Sequence, residues 1–284
     1  MCRPVFFCVP GRGQRQDGRK EMASTYKNVI FDLYGTLIRI HTDYQDTDVW
    51  THMAYHLSTY GADYTPVVLK NSYDLMLRDE NRRLSLMNHS EWPEFSVENV
   101  FRRLLREAYK NHKARILDEM DEMTLAKDLA QMRRTLIMKE FRLYRGTLQL
   151  LTRLREEGKG VYLLSNAQRI YLVPELERTG LWPLFDDIYI SSDFGFRKPD
   201  PRFIAHLMKK HGMDPGETVF VGNDPTTDIP TAASAGVDCI FINSYHKTRE
   251  ERKAARKAVK ERYPEYDLRK IRTVQSLSAA GKWL

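Results

Sequence analysis

Cysteine is scarce in this sequence, and the few cysteines are scattered. Cys2, Cys8 and Cys239 are the only three in 284 residues. So few thiols at such spacings predict neither a disulfide framework nor a zinc site. This usage is typical of a reducing compartment, and we therefore expect the protein to be cytoplasmic.

Long hydrophobic runs are also missing. No apolar stretch approaches the ~18 residues that a membrane helix needs, so we expect no membrane partner. Residues 1–23 open with a positive charge and a short apolar patch at residues 5–9. The patch is shorter than the ~7–15 residues of a signal-peptide core, and no small-residue cleavage site follows it. We interpret this segment as a disordered tail, with Met22 as a second candidate for the translation start.

The excess of charge of one sign is modest. The chain has 45 basic and 38 acidic residues, a formal net charge of +7. Basic and acidic residues are interspersed, and no basic-aromatic array or nucleic-acid motif is present. The charge therefore predicts a solvated, mildly basic surface and no nucleic-acid partner. Nothing in the sequence indicates an oligomeric state.

The stretch 29–38 carries the strongest local signal. Three apolar residues lead directly into Asp32, and Gly35 and Thr36 follow. An uninterrupted apolar run is typical of a strand buried on both faces of a parallel sheet. Ligands bind beyond the carboxyl ends of such strands, where Asp32 can attack an electrophile and carry a covalent intermediate. The alternative is an aspartate that only caps the following turn.

Strands and helices alternate in the second half of the chain. After Gly146 the pattern predicts a helix ending at Gly158, strands at 160–164, 187–191, 218–221 and 239–242, and further helices at 170–178, 201–211, 229–235 and 247–262. Such alternation is typical of an α/β fold around a parallel sheet.

Residues 39–140 have a different character. Apolar residues recur there at three- and four-residue spacing, which predicts amphipathic helices at 50–60, 66–82, 96–109 and 117–133. This stretch alone leaves open whether the helices are simply half of a single domain.

Three further stretches contain side chains suited to chemistry at strand ends. They are Ser165-Asn166 after one strand, Lys198 before a proline, and Asp224 and Asp228 after another strand and a glycine. Together with the Asp32 turn, and in this order, they resemble the four motifs of the haloacid dehalogenase (HAD) superfamily of hydrolases. The resemblance extends over residues 26 to 245.

This resemblance implies a Rossmann-like α/β core into which an α-helical cap is inserted between the first and second motifs. Residues 24–40 and 141–284 would form the core, and residues 41–140 the cap. We therefore expect a parallel-sheet core with a separate helical domain beside its active site.

The resemblance also implies a role for each motif residue. Catalytic roles fall to Asp32 as the nucleophile, Ser165 as a donor to phosphoryl oxygens, and Lys198 as a charge partner. Thr36 and Asn166 would bind substrate. Magnesium would be held by Asp32, the backbone carbonyl of Tyr34, Asp224 and Asp228. Each residue also has an ordinary explanation: Ser165 as a helix cap, Lys198 as a solvated cation, and the acid pair as caps of the 229–235 helix.

Two positions depart from the phosphatase pattern of this family. Most phosphatase members have an acid where Tyr34 lies, and an Asp-x-Tyr-Gly-Thr start is typical of the 2-haloacid dehalogenases. Those enzymes, however, lack an acid-rich metal motif. Asn223 lies directly after Gly222, where family members often have an aspartate, so either Asn223 or Asp224 is the candidate ligand.

We therefore expect a Mg²⁺-dependent phosphatase that acts on a small phosphomonoester through an aspartyl-phosphate on Asp32. Two alternatives stay open from the sequence. One is a 2-haloacid dehalogenase-type hydrolase, and the other is a catalytically weak protein that binds a small molecule. In all three cases the expected partner is a small molecule.

Overall fold

A six-stranded sheet lies at the centre of the protein, and every strand in it is parallel to its neighbours. The computed structural model describes residues 26–110 and 121–284, except for the side chains of residues 109 and 110. From one edge of the sheet to the other, the strands are β5 (Asp187–Ile190), β4 (Gly160–Ser165), β1 (Asn28–Phe31), β6 (Thr218–Gly222), β7 (Asp238–Ile242) and β8 (Ile271–Val274).

Strand β1 is central because it pairs with β4 on one side and with β6 on the other. Val29 and Phe31 pack into the hydrophobic layer on one face of the sheet, and Ile30 packs into the layer on the opposite face. All three side chains are fully buried. This two-sided burial explains the uninterrupted apolar run in the sequence.

Helices cover both faces of the sheet. One face packs against α5 (Thr147–Glu156), α6 (Arg169–Thr179) and α11 (Leu277–Ala280). The other packs against α8 (Pro201–His211), α9 (Asp228–Ser234) and α10 (Arg249–Arg262). A single helical turn, α7 (Ser191–Phe194), follows β5. The predicted α/β fold class is confirmed, because helices and parallel strands alternate as the sequence pattern indicated.

Four further helices pack around a hydrophobic cluster of their own. They are α1 (Asp48–Ser58), α2 (Pro66–Asn88), α3 (Val97–Lys110) and α4 (Glu122–Ile137), and we call them the helical insert. The predicted start of the fourth helix, Leu117, lies outside the described residues, as do the predicted tail at residues 1–23 and Met22. Tyr171 of α6 joins the cluster of the insert, so the insert packs directly against the core.

Two short strands connect the helical insert to the core. Strand β2 (Ile38–Thr42) pairs with β3 (Met138–Leu143) in an antiparallel ribbon. The sequence analysis did not predict this ribbon, because its strands are short and their pairing spans the whole insert. The ribbon closes the insert at its base, so the chain leaves and re-enters the core at one place.

Among the described helices, none is both long enough and apolar enough to span a membrane.

Candidate active site

The carboxyl ends of β1, β4 and β6 meet at one edge of the sheet, and Asp32 lies there. The backbone N–H of Asp32 donates to the carbonyl oxygen of Val221, which extends the pairing of β1 with β6 by one residue (2.9 Å). The chain then turns through Gly35, whose φ is +85°. A Cβ atom at Gly35 would lie 2.2 Å from the Asn223 side chain. Only glycine therefore permits this turn beside the site.

Lys198 links two carboxylates at this edge. Its Nζ atom lies 2.7 Å from Asp32 Oδ1 and 2.8 Å from Asp228 Oδ1. The lysine is 2% exposed, and Asp228 is fully buried. Burial alone would lower the pKa of Lys198, but the negative charges of Asp228 and Asp32 outweigh burial and raise it. Lys198 is therefore a charged group fixed between the two acids.

Asp228 also fixes the loop that follows β6. Its Oδ2 atom accepts hydrogen bonds from the backbone N–H groups of Asn223 and Asp224, both at 2.8 Å. A Cβ atom at Gly222 would lie 2.3 Å from the same oxygen, so this close approach requires glycine. Burial raises the pKa of Asp228 to about 6, although the charge of Lys198 opposes the shift.

One polar atom of the Asn223 amide lies among three oxygens. It is 2.9 Å from the Tyr34 carbonyl oxygen, 3.3 Å from Asp32 Oδ2 and 3.2 Å from Thr36 Oγ1. If that atom is the amide nitrogen, its two N–H groups are shared among these three acceptors. If it is the amide oxygen, it accepts a hydrogen bond from the Thr36 hydroxyl at 3.2 Å, and it then lies beside the Tyr34 and Asp32 oxygens, where a bound cation would stabilise the three acceptors. Asn223 therefore faces the predicted nucleophile directly.

The carboxylate of Asp224 is turned to its own loop. Its Oδ1 atom accepts hydrogen bonds from the backbone N–H of Thr226 (2.8 Å) and from the Thr226 hydroxyl (2.6 Å). Within residues 26–110 and 121–284, no three His, Cys, Asp or Glu side chains lie close enough to share a metal ion. Of the two adjacent candidates from the sequence, Asn223 lies next to Asp32, and Asp224 stabilises the turn.

Two of the remaining predicted residues, Thr36 and Asn166, contact Asp32 and Lys198 directly. The Thr36 hydroxyl donates to Asp32 Oδ2 at 3.1 Å. The Asn166 side chain makes two hydrogen bonds with the backbone of Lys198. It accepts one from the Lys198 N–H (2.8 Å) and donates one to the Lys198 carbonyl oxygen (3.0 Å). Ser165, at the end of β4, has a buried hydroxyl with no hydrogen-bond partner. Such a buried, unsatisfied donor is uncommon and suits an acceptor that arrives with a ligand.

The hydroxyl of Tyr34 points away from this cluster, towards the helical insert. It donates to Glu175 Oε2 at 2.6 Å. Glu175 also binds the Arg134 guanidinium through both of its oxygens, at 2.8 and 3.1 Å. Burial and the negative charge of Glu175 raise the pKa of Tyr34 well above 10. Tyr34 is therefore an anchor between core and insert, and it is poorly suited to donate a proton to a leaving group.

The sequence provided no signal for this anchor. Glu175 lies in α6, Arg134 lies in α4, and both are far from the Asp32 turn along the chain. Their pairing depends on how α4 packs against α6. His41 and Asp43 follow the Asp32 turn closely in the sequence, but they line neither of the two cavities at the site.

Two cavities meet beside Asp32. The larger, of about 750 Å³, is lined by Asp32, Lys198 and Asp228 and extends to α10. The smaller, of about 420 Å³, lies between the core and the helical insert. Tyr34 and Asn166 line both cavities, so a bound molecule can extend from the charged cluster into the space beneath the insert.

Comparison with known proteins identified one family model. The model for haloacid dehalogenase-like hydrolases matches residues 26–236. The solved structure of a 2-haloacid dehalogenase from Pseudomonas syringae pv. Tomato DC3000 has a TM-score of 0.62 and 17% sequence identity; the alignment covers 91% of this chain and 97% of that one. At this identity the likeness is one of fold.

Curated relatives match over shorter segments. A phosphoglycolate phosphatase from Agrobacterium fabrum is 36% identical over 103 residues, which are 36% of this chain and 44% of that protein. A glyceraldehyde 3-phosphate phosphatase from Methanothermobacter thermautotrophicus is 33% identical over 98 residues, 34% of this chain and 43% of that protein. In both cases the match spans less than half of the relative's own length.

The buried Arg134–Glu175 pair leads to a stability prediction. We expect Glu175→Gln to lower the free energy of unfolding by about 3 kcal/mol or more, because it leaves the Arg134 charge buried without a partner. Urea unfolding followed by far-UV circular dichroism measures this change. The control is Glu140→Gln, which removes an exposed pair with Arg39 and should cost no more than about 1 kcal/mol. Equal losses for the two variants would contradict the role of Glu175.

Proposed function

The chain belongs to the haloacid dehalogenase-like hydrolases, and we propose that it hydrolyses a small phosphomonoester through an aspartyl-phosphate on Asp32. One observation carries this proposal: Asp32 lies at the mouth of a 750 Å³ cavity, where Lys198 and Thr36 fix its two oxygens. The unsatisfied Ser165 hydroxyl adds a donor for a phosphoryl oxygen. The phosphatase names of both curated relatives agree with this choice.

The proposed reaction has two displacements at phosphorus. In the first, a carboxylate oxygen of Asp32 bonds to phosphorus while the ester P–O bond breaks, and the leaving oxygen departs with the bonding electrons and takes a proton from water. In the second, water attacks the aspartyl-phosphate, which releases inorganic phosphate and restores the carboxylate. Lys198 fixes Asp32 by binding the oxygen Oδ1, and Asn166 fixes Lys198 through its backbone.

We further propose that Mg²⁺ is bound by Asp32 Oδ2, the Tyr34 carbonyl oxygen and the Asn223 amide oxygen. One polar atom of the Asn223 amide lies 2.9 Å from the Tyr34 carbonyl oxygen and 3.3 Å from Asp32 Oδ2, so with the amide oxygen in that place these three residues would hold the ion together. Oxygen ligands of this kind are those that Mg²⁺ prefers. When bound, Mg²⁺ reduces the repulsion between the Asp32 carboxylate and the phosphoryl oxygens. Asp224 and Asp228, the ligands predicted from the sequence, would then have other roles. Asp224 would stabilise the loop after β6, and Asp228 would bind Lys198.

Two broader assignments rest on the same proposal. The helical insert, within residues 41–140, is the cap that encloses the substrate, because the smaller cavity lies between it and the core. A cytoplasmic location is proposed from the three scattered cysteines. The partner is a small molecule, which the size of the two cavities accommodates.

A second candidate reaction is hydrolytic dehalogenation. In that reaction Asp32 bonds to the carbon that bears the halogen, halide leaves, and water hydrolyses the resulting ester. The observations in its favour are Tyr34, in place of an acid, and the neutral Asn223 beside Asp32. A catalytically weak binding protein is the third alternative, and the turnover experiments below separate the three.

Replacing the nucleophile tests the reaction directly. We expect Asp32→Asn to lower kcat by more than about a thousandfold, because the amide cannot form the covalent intermediate. Phosphate release from aryl phosphates measures the rate, and circular dichroism checks the fold. The control is Asp43→Asn, which makes the same change outside both cavities and should leave the rate unchanged. A variant that keeps a few percent of the activity would remove Asp32 from this role.

The metal assignment is tested at Asn223. Chelation should abolish phosphatase activity, and titration with Mg²⁺ should restore it. We expect Asn223→Asp to lower the half-saturating Mg²⁺ concentration by roughly tenfold, because a carboxylate replaces a neutral ligand, and Asn223→Ala to raise it. Full activity in chelator, together with turnover of 2-chloropropionate, would favour dehalogenation.

The role of Tyr34 predicts how rates depend on the leaving group. Because its hydroxyl is bound to Glu175, we expect rates across a series of aryl phosphates to fall steeply as the pKa of the leaving phenol rises. Tyr34→Phe should not change that slope. A shallow slope would mean that another group donates the proton. In that case Glu94→Gln is the first variant to test, because Glu94 lines the smaller cavity and burial raises its pKa.

A further inference from the structure

Two neighbouring arginines in α4 have different surroundings. Arg134 is buried and binds both oxygens of Glu175. Arg133 also lines the smaller cavity, but no carboxylate pairs with it among the described residues. Arginine in a cavity without an acidic partner is a common binding group for anions, because its planar donors match carboxylate and phosphate oxygens.

Aromatic rings explain how Arg133 is held. Its guanidinium carbon lies 4.9 Å from the ring centre of Tyr73 and 5.6 Å from the ring centres of Tyr44 and Trp50. Such contacts use the faces of the guanidinium, whereas its N–H groups point outward in the plane. The Nε atom of Arg133 is buried and has no hydrogen-bond partner. The rings therefore position the cation but leave its Nε donor without a partner.

A second unsatisfied donor lines the same cavity. Tyr171 in α6 is 8% exposed, and its hydroxyl is buried without a hydrogen-bond partner. The positive charge of Arg133 is close enough to oppose the rise in the pKa of Tyr171 that burial causes. A cation from the insert and a hydroxyl from the core thus lie near each other in one cavity, and both lack an acceptor.

This cavity continues from the charged cluster. Tyr34 and Asn166 line both cavities, and Tyr34 lies two residues after Asp32 in the chain. A molecule whose reacting end contacts Asp32 can therefore extend past Tyr34 towards Arg133. The smaller cavity, of about 420 Å³, is large enough for the distal end of a small metabolite.

We propose that the smaller cavity is a subsite for a carboxylate at the distal end of the substrate, bound by Arg133 and Tyr171. This inference rests on the proposed phosphatase function in one respect, namely that the end of the substrate beside Asp32 is a phosphate ester. In this arrangement the carboxylate accepts hydrogen bonds from the edge of the Arg133 guanidinium and from the Tyr171 hydroxyl. The substrate is then a small phosphomonoester that also carries a carboxylic acid.

The charge of the cavity favours a carboxylate over a second phosphate. Its charged lining residues are Arg133, Arg134, Arg197 and Glu94, and Arg134 is already paired with Glu175. Both oxygens of Glu94 accept hydrogen bonds from core side chains, Gln168 and Ser191. The positive charge of Arg197 acts on Glu94, where it opposes the rise in the pKa that burial causes, so the charges of Arg197 and Glu94 offset each other. Arg133 then remains as a single uncompensated cation. With one hydroxyl beside it, this cation suits a group of single charge, whereas a phosphate has about two charges and three acceptor oxygens.

The test uses substrate pairs that differ only in charge. They are carboxymethyl and carbamoylmethyl phosphate, and 3-carboxyphenyl and 3-carbamoylphenyl phosphate. For at least one pair we expect the wild type to have a kcat/KM at least tenfold higher for the acid than for the amide. Arg133→Met should bring this ratio close to one, a loss of roughly tenfold to a hundredfold, because a charged hydrogen bond is removed. The loss should appear chiefly in KM for the acid, and the kinetics of the amide should change by a much smaller factor.

Three further variants sharpen the result. Tyr171→Phe removes a hydroxyl that has no partner in the fold, and it should lower the ratio by roughly threefold to tenfold. Arg133→Lys keeps the charge without the planar donors and should lie between wild type and Arg133→Met. Arg106→Met is the control, because Arg106 binds Glu122 on the insert and lines neither cavity. If Arg133→Met does not fold, Tyr171→Phe and Arg133→Lys decide the test.

Binding measurements separate this subsite from the proposed reaction. Calorimetry with Asp32→Asn should show tighter binding of the acid than of the amide, and Arg133→Met should remove the difference. If the wild type hydrolyses no phosphate ester but this difference is present, the proposed function fails and the subsite stands. If esters are hydrolysed with equal kcat/KM for acid and amide, or if the preference survives both Arg133→Met and Tyr171→Phe, the subsite is wrong.

Discussion

A buried triad of charges governs this structure. Lys198 lies between Asp32 and Asp228 at distances of 2.7 and 2.8 Å, and all three side chains are shielded from water. Buried charges are tolerated only when they are paired and hydrogen-bonded. The amides of residues 223 and 224 satisfy the second oxygen of Asp228, and Thr36 contacts the second oxygen of Asp32. Three separate segments must therefore adopt one geometry before the cluster becomes stable.

The parts that the sequence could predict are those with a local cause. An apolar run ending in Asp32 defines a central strand, and polar residues at the ends of neighbouring strands converge because parallel strands share an edge. The choice between Asn223 and Asp224 could not be made in this way. The side chains of these two adjacent residues point in different directions. Their directions are set by Asp228, which accepts hydrogen bonds from both backbone amides. Spacing along the chain does not contain this information.

Contacts between distant segments could not be predicted from the sequence, for a related reason. The β2–β3 ribbon joins residues on opposite sides of the insert. Tyr34 meets Glu175 at a separation of 141 positions, and Arg134 meets Glu175 at a separation of 41. No periodic pattern distinguishes these residues from ordinary members of a helix or a turn. Their roles follow from the docking of α4 on α6, which depends on the packing of the whole insert.

Tyr34 connects the chemistry of the core with the position of the insert. Its carbonyl oxygen lies 2.9 Å from the Asn223 amide, and its hydroxyl binds Glu175. The side chain cannot bind Glu175 and also protonate a leaving group in the opposite direction. The fold thus has an anchor at the position where the resemblance to the family's phosphatases implies an acid. Because Arg134 completes that anchor and Arg133 is the preceding residue of α4, docking of the insert also places Arg133 in the smaller cavity, between the insert and the core.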